Sequence, residues 1–192
     1  MEKIIYLALE DSIRVKRDFI KKNAANIIFL SNKIAEAFTR DNKLILCGNG
    51  GSAADAQHIA AEFVNRFIIE RAPLPAIALT TDTSIITSIS NDYSFDQVFS
   101  KQIKAIGRAG DILLAISTSG NSENVIRAVR TAHDMGIYTA GLTGKDGGRL
   151  ARIVDIPIIV KTNATPRIQE AHIMAGHLIC QLVDHILFER DT

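Results

Sequence analysis

The stretch KLILCGNGGSAADAQH, residues 43–58, decides the fold. An apolar run, residues 43–47, ends in a glycine-rich turn, and an Ala-rich helical pattern from Ser52 to about Phe67 follows at once. A strand, a tight turn and a helix in this order begin a βαβ unit, in which parallel strands are joined by helices. Because the apolar run does not alternate with polar residues, it predicts a sheet covered by helices on both faces.

The same pattern recurs along the chain. Further apolar runs are interpreted as strands at residues 75–79, 111–116, 138–142 and 156–160. Helical patterns between them lie near residues 83–89 and from the turn at residues 117–121 to about Met135. Together with the first run, these patterns predict an α/β three-layer sandwich around a five-stranded parallel sheet.

Long helical patterns occupy both ends of the chain. Residues 4–40 contain no Gly or Pro and indicate one or two long helices. A last helix begins after Thr165, has Pro166 in its first turn, and runs to about Phe188. This is more apolar helix than one small sheet can cover, so it forms either an oligomer interface or a helical cap within one subunit.

Composition bounds the class of protein. The chain has 192 residues, 47% of them hydrophobic and 22% charged, which is typical of a globular protein. No linker divides it, so we expect a single domain over residues 1–192, with residues 1–40 in an oligomer interface and residues 41–192 forming the α/β core and the C-terminal helix. The net charge of +1 argues against a nucleic-acid partner, which would require a basic surface.

The expected location is the cytoplasm, with no membrane partner. The N-terminus carries charged residues in place of a secretion signal, and no uninterrupted apolar run approaches the roughly 18 residues that span a bilayer. Cys47 and Cys180 both follow apolar residues, so we interpret them as packed, reduced thiols.

The loop STSGNS, residues 117–122, is the first candidate site. In an open parallel sheet ligands bind beyond the carboxyl ends of the strands, where this loop lies. It offers four hydroxyls, a glycine that lets backbone approach a ligand, and the N-terminus of the next helix. It therefore suits a phosphate monoester such as a small sugar phosphate. The alternative is that Ser122 or Asn121 is only a helix cap.

The loop at residues 49–52 and the helix after it form the second candidate site. Asn49, Gly50, Gly51 and Ser52 expose backbone amides and a carboxamide, and His58 and Glu62 follow four residues apart on one helix face. This pair can hold a metal or transfer protons, but it is also a common surface pair.

Two further polar groups lie outside these loops. Gln169 and His177, on the last helix, are separated by a rise of about 12 Å and share a broad face. One metal between them would need extended side chains or residues from neighbouring subunits. Asn91, Asp92 and Tyr93 interrupt a helical region, which indicates a turn or a ligand contact.

These motifs resemble the sugar isomerase (SIS) domain family over nearly the whole chain. The resemblance is carried by CGNGGSAADAQH at residues 47–58, ISTSGNS at residues 116–122, LTG at residues 142–144 with Gly147 and Gly148, and RIQE at residues 167–170. It implies a flavodoxin-like SIS fold, a homotetramer with active sites between subunits, and one zinc ion per subunit.

The resemblance also implies an aldose–ketose isomerase. The implied reaction converts sedoheptulose 7-phosphate to D-glycero-D-manno-heptose 7-phosphate through an enediolate, the first step of nucleotide-activated heptose biosynthesis for lipopolysaccharide core or surface glycans. The implied zinc ligands are His58, Glu62, Gln169 and His177. The implied substrate contacts are Asn49, Gly50, Gly51, Ser52, Glu62, Asn91, Asp92, Ser117, Thr118, Ser119, Ser122 and Gln169.

Proton transfer between C1 and C2 calls for a carboxylate base and a nearby acid, and we assign these roles to Glu62 and His177. A carboxylate bound to zinc is a poorer base, so either Glu62 changes partners during turnover or the metal is chiefly structural. The alternative is a non-enzymatic SIS protein that binds the bacterial replication initiator. Such relatives lack the Glu and His found here at positions 62 and 177, which favours the enzyme.

Overall fold

The computed structural model describes residues 1–189. Five strands form one parallel sheet in the order β2-β1-β3-β4-β5. The strands are β1 (Leu44–Gly48), β2 (Ala76–Ala78), β3 (Ile112–Ser117), β4 (Tyr138–Gly144) and β5 (Ile156–Val160). The prediction of a five-stranded parallel sheet is confirmed, and the strand ends shift by up to two residues from those predicted.

Helices cover both faces of the sheet. They are α1 (Glu2–Thr39), α2 (Gly51–Val64), α3 (Thr83–Asp92), α4 (Val98–Ile106), α5 (Glu123–Asp134) and α6 (Thr165–Asp184). Short 3-10 turns lie at Phe95–Gln97 and Leu150–Arg152, and a π-helical turn, His185–Glu189, follows α6. The N-terminal pattern is therefore one helix, and the last helix keeps Pro166 in its first turn as predicted.

Two apolar cores lie on opposite faces of the sheet. In β1, Leu44 and Leu46 point into the core shared with α1, α2 and α6, whereas Ile45 and Cys47 point into the core shared with α4 and α5. Successive side chains of a strand point to opposite faces, so a run that is apolar at every position serves both cores. Cys47 and Cys180 are buried free thiols, as predicted.

The strand order places a topological switch point between β1 and β3. The chain leaves β1 through α2 toward β2, and leaves β3 through α5 toward β4. The loops after β1 and β3 therefore lie side by side at the carboxyl edge of the sheet, where ligands bind in folds of this kind.

Two helix ends differ from the predicted ones. The helix after the first loop was expected to reach about Phe67 but ends at Val64, because the Arg71 guanidinium occupies its last carbonyls. Asn91 and Asp92 complete α3, so of the interruption predicted at residues 91–93 only Tyr93 lies outside the helix.

The terminal helices pack together along part of their length. From Ser12 onward one side of α1 is buried and packs against α6 and β5, while most of its first eleven residues are exposed. By length and composition, Thr165–Glu189 would suffice to cross a membrane. One side of this helix is buried against the sheet and α1, and a core helix of a globular fold passes the same test.

Candidate active site

The loop after β3 gathers its hydroxyls at the start of α5. The Ser117 Oγ lies 3.2 Å from the Ser122 Oγ and 3.5 Å from the Ser119 Oγ. Ser122 occupies the N-cap position of α5, but its side chain makes no capping hydrogen bond. The alternative that Ser122 serves as a side-chain cap is therefore wrong, and its hydroxyl turns toward the loop.

Two glycine-bearing segments pack against each other beneath this loop. Gly120 has a φ of 65°, and a Cβ added to it would collide with the carbonyl oxygen of Gly147. A Cβ on Gly148 would lie 2.6 Å from the carbonyl oxygen of Gly120. Thr118 is supported in the same way, since a Cβ on Gly144 would lie 2.6 Å from its carbonyl oxygen. The loop of residues 117–122, which we call the phosphate-type loop, therefore packs closely against the backbone of residues 144–148.

The two strand-end loops are joined directly. The Asn49 amide donates to the Asn124 carbonyl oxygen at 2.9 Å, and the Asn124 amide donates back at 2.9 Å. Asn124 on α5 was not singled out from the sequence, because an Asn after a helix start usually indicates only a local turn. Ser52 is buried, with its carbonyl and its Cβ packed against Gly48.

Helices α2 and α6 run side by side in the same direction. A Cβ on Gly51, the first residue of α2, would collide with the Gln169 Nε2, and one on Gly176 would lie 2.6 Å from the Ile59 Cδ1. These contacts occur in the same order along both helices. We call this contact line the α2–α6 seam.

His58, Glu62 and His177 come together on the seam. The His58 Nε2 lies 2.9 Å from the His177 Nε2 and 3.2 Å from the Glu62 Oε1. One ligand atom from each residue lies within 4.8 Å of the others. The His58 side chain is about half exposed and that of Glu62 about one-fifth, so the cluster is open to solvent on one side.

Gln169 lies at the end of the α2–α6 seam that adjoins the loop of residues 49–52. Seven residues of α2, a rise of about 10 Å, separate Gly51 from His58. Helical side chains lean toward the N-terminus, which directs the His58 ring back toward Gln169. The structure thus places Gln169 between the first loop and the His-Glu-His cluster.

Other neighbours of the cluster were missed in the sequence. Phe67 stacks on the His177 ring, with centroids 5.4 Å apart and planes at 27°. Burial raises the pKa of Asp55 to about 6, opposed by the nearby charge of His58.

Asn91 and Asp92 lie on the exposed end of α3 and hydrogen-bond to each other at 2.9 Å.

The donor set of the cluster fits zinc. Two imidazole nitrogens and one carboxylate with an open fourth position form a typical catalytic zinc set. Two tetrahedral ligands about 2.1 Å from one ion stand about 3.4 Å apart, a few tenths of an ångström more than the separations seen here. Small side-chain adjustments would therefore be enough to admit the ion.

An open parallel sheet with glycine-bearing loops at its switch point defines a doubly wound α/β ligand-binding protein. Within this class, the chain belongs to the SIS domain family, whose model matches residues 9–144.

Particular family members are similar over most of their length. The chain is 55% identical over 179 residues to the phosphoheptose isomerase of Nitratidesulfovibrio vulgaris strain Hildenborough, covering 93% of this chain and 86% of that protein. The structure of phosphoheptose isomerase GmhA from Neisseria gonorrhoeae matches with a TM-score of 0.90 at 45% identity, covering 95% of this chain and 98% of that one. A phosphoheptose isomerase from Francisella tularensis matches with a TM-score of 0.92 at 38% identity, covering 95% and 97%.

Proposed function

We propose that this protein is an aldose–ketose isomerase that converts sedoheptulose 7-phosphate to D-glycero-D-manno-heptose 7-phosphate, opening a nucleotide-activated heptose pathway. Its similarity to phosphoheptose isomerases extends over more than nine-tenths of the chain. The observation that carries the proposal is the meeting of Glu62 from α2 and His177 from α6 in one cluster. A carboxylate beside an imidazole is the pair that an enediolate mechanism requires.

Glu62 is assigned as the base that takes the proton from C1, and His177 as the acid that serves C2. Either group must come within hydrogen-bond reach of the sugar, which the open side of the cluster permits. Gln169 and the amides of Gly50 and Gly51 lie between the cluster and the phosphate-type loop, where they would contact the sugar hydroxyls.

The phosphate is assigned to the loop of residues 117–122. The Ser117 hydroxyl lies within hydrogen-bond range of the hydroxyls of Ser119 and Ser122, and α5 begins directly after this loop. Unpaired amides and the positive dipole end of a helix favour a phosphate at this position. Binding energy from the phosphate then holds the reacting carbons beside the cluster.

Zinc is assigned to His58, Glu62 and His177, with the fourth position open to substrate or to Gln169. When bound, zinc would polarise the sugar carbonyl or stabilise the charge that develops on its oxygen. If Glu62 acts as the base and His177 as the acid, the atom of each that transfers the proton must be free of the ion at that step.

A homotetramer is the proposed assembly. Part of the apolar surface of α1 is left uncovered in one subunit, and the apolar side chains exposed near its N-terminus are Ile4, Ile5, Tyr6, Leu7, Leu9 and Ile13. An apolar groove of about 400 Å³ also runs between α1 and α6. Apolar surface of this kind is typical of subunit interfaces, and light scattering should show four subunits.

The free thiols Cys47 and Cys180 suit the reducing cytoplasm, the proposed location.

The decisive assay is turnover of sedoheptulose 7-phosphate by the wild-type protein with zinc and after chelation. We expect turnover with zinc and its loss on chelation, restored by adding zinc back. A folded tetramer that fails to turn over the sugar in either condition would contradict the enzyme and favour a non-enzymatic SIS protein.

A further inference from the structure

Arg71 lies in the connection between α2 and β2, and its guanidinium is enclosed by the protein. The side chain is 2% exposed. Nη2 donates to the Glu62 carbonyl at 2.9 Å, and Nη1 donates to the carbonyls of Phe63 and Asn65 at 2.7 and 3.2 Å. Arg71 therefore binds the last carbonyls of α2, which have no partners within the helix.

The same guanidinium also reaches α6. Its Nε donates to the Asp184 Oδ1 at 2.9 Å, and the Asp184 side chain is 5% exposed. Among residues 1–189, no group hydrogen-bonds to the buried Asp184 Oδ2. Arg71 is thus the partner that compensates this buried charge, and through it α2 and α6 are tied together.

The Arg71–Asp184 ion pair lies at the end of the α2–α6 seam that is farther from Gln169, and the candidate metal site lies between the two ends. Asp184 follows His177 by seven residues, two turns of α6, and therefore lies on the same face. On α2, Arg71 binds the backbone of Glu62 itself. The Gln169–Gly51 contact, the His177–His58 pair and the Asp184–Arg71 pair therefore follow one another along the seam.

We propose that Arg71 and Asp184 are a positioning pair, which sets the separation of α2 and α6 at Glu62 and His177 and so adjusts the cluster to its metal ion. This inference rests on the metal site of the proposed function. Neither residue touches the ion or the sugar. Their effect passes through the backbone of Glu62 and through α6, as partners behind the ligands commonly tune metal affinity.

A second buried ion pair provides a matched control. The Lys43 Nζ lies 2.6 Å from the Asp111 Oδ2, and Asp111 is 1% exposed. Lys43 precedes β1 and Asp111 precedes β3, and the Asp111 carboxylate accepts hydrogen bonds from Asn42, Lys43 and Arg108, none of which lies on α2 or α6. Asp111→Asn should destabilise the fold by disturbing a buried charge pair, without a route to the metal site.

The experiment compares zinc affinity in Arg71→Lys, Asp184→Asn and Asp111→Asn, using the full chain and a chromophoric chelator as competitor. Lys keeps the charge but lacks the planar fork that binds several carbonyls at once, so Arg71→Lys should raise the zinc Kd at least tenfold. Asp184→Asn retains an acceptor for Nε and should show a smaller rise. Asp111→Asn should bind zinc within twofold of wild type.

Circular dichroism and thermal melting establish that each variant is folded at the titration temperature, and Asp184→Asn serves if Arg71→Lys does not fold. Zinc affinity within twofold of wild type in every folded variant of the pair would overturn the inference. A wild type that binds no zinc would overturn it too. Turnover of sedoheptulose 7-phosphate by that same wild type would still support the isomerase, so the two failures are distinguishable.

Discussion

The Nε2 atoms of His58 and His177 face each other at 2.9 Å across 119 residues of sequence. Their rings meet edge to face, with centroids 5.1 Å apart and planes at 62°. Two unprotonated nitrogens at this distance repel each other, so the pair must share a proton or a cation. The Phe67 ring holds His177 from the other side. Packing thus preserves an arrangement that a metal ion would stabilise.

Glu62→Gln tests the base. The amide keeps the size of the side chain but cannot accept the C1 proton, so kcat should fall by about 100-fold or more. The melting temperature should change little, because the only salt bridge of the Glu62 side chain within residues 1–189 is to His58.

The matched control is Glu70→Gln. The Glu70 side chain is 87% exposed and pairs with Arg66, whose side chain is also exposed, so this variant should retain wild-type kinetics. A Glu62→Gln enzyme with kcat within threefold of wild type would assign the proton transfer to another group.

Ser119→Ala tests the phosphate loop. The Ser119 hydroxyl lies beside that of Ser117 and accepts a hydrogen bond from the Asn121 amide at 3.1 Å. Hydrogen bonds to a charged group contribute about 1.5–3 kcal/mol, so KM should rise about tenfold or more while kcat falls less. Steady-state kinetics measure both constants. Ser119→Thr restores the hydroxyl and should recover much of the affinity, whereas an unchanged KM in Ser119→Ala would remove this role.

The sheet and both loops were predictable because the strands are short and mostly apolar and each loop departs from ordinary turn composition. The packing of α2 alongside α6 was not predictable. The sequence places Gln169 and His177 on one face of a helix, but only the packing of α6 alongside α2 brings His58 next to His177. Periodicity within one helix carries no information about which helix lies opposite.

Arg71 and Asp184 show a second limit. Charged residues usually lie on the surface, so Arg71 in the connection after α2 gave no signal of burial. Asp184 was the better indication, because it interrupts an apolar run, residues 178–188, in a helix that packs on the sheet. A lone acid in such a run predicts a buried cation elsewhere in the chain, without identifying it.

Gly176→Ala tests the closeness of the seam. Alanine favours the helix by about 1 kcal/mol, but its Cβ would lie 2.6 Å from the Cδ1 of the buried Ile59. Overpacking of this kind costs about 1–3 kcal/mol, so the net effect should be a loss of about 1 kcal/mol in unfolding free energy. Zinc affinity should fall as well, because His58 and His177 adjoin the contact.

The double variant Gly176→Ala with Ile59→Val is the matched control, since it removes the Cδ1, the nearer of the two Ile59 carbons that the new methyl group meets, and keeps the Cγ1 at 2.7 Å. Urea unfolding and zinc titration should both show partial recovery relative to the single variant. A Gly176→Ala variant that is more stable than wild type and binds zinc normally would contradict the close packing of α6 against α2 at this position.

His172 should make the protein sensitive to acid. It lies on α6, fully buried, with Nε2 3.1 Å from the Thr143 carbonyl oxygen. Burial lowers the pKa of His172 from 6.5 to about 4, partly opposed by that hydrogen bond. Between these values the unfolded chain binds a proton that the folded protein does not, so stability falls as pH falls from about 6.5 toward 4. From pH 7 to pH 5 the loss should be about 2 kcal/mol.

Urea unfolding of wild type and His172→Gln at pH 8, 7 and 5, at one protein concentration, measures this contribution. Gln can still donate to the Thr143 carbonyl but does not titrate. Its unfolding free energy should therefore fall by about 2 kcal/mol less than that of wild type between pH 7 and pH 5. The two proteins should show the same change between pH 8 and pH 7, where neither state of His172 takes up much of a proton. Parallel losses down to pH 5 would mean that another group causes the acid sensitivity, and that the buried ring is protonated at little cost.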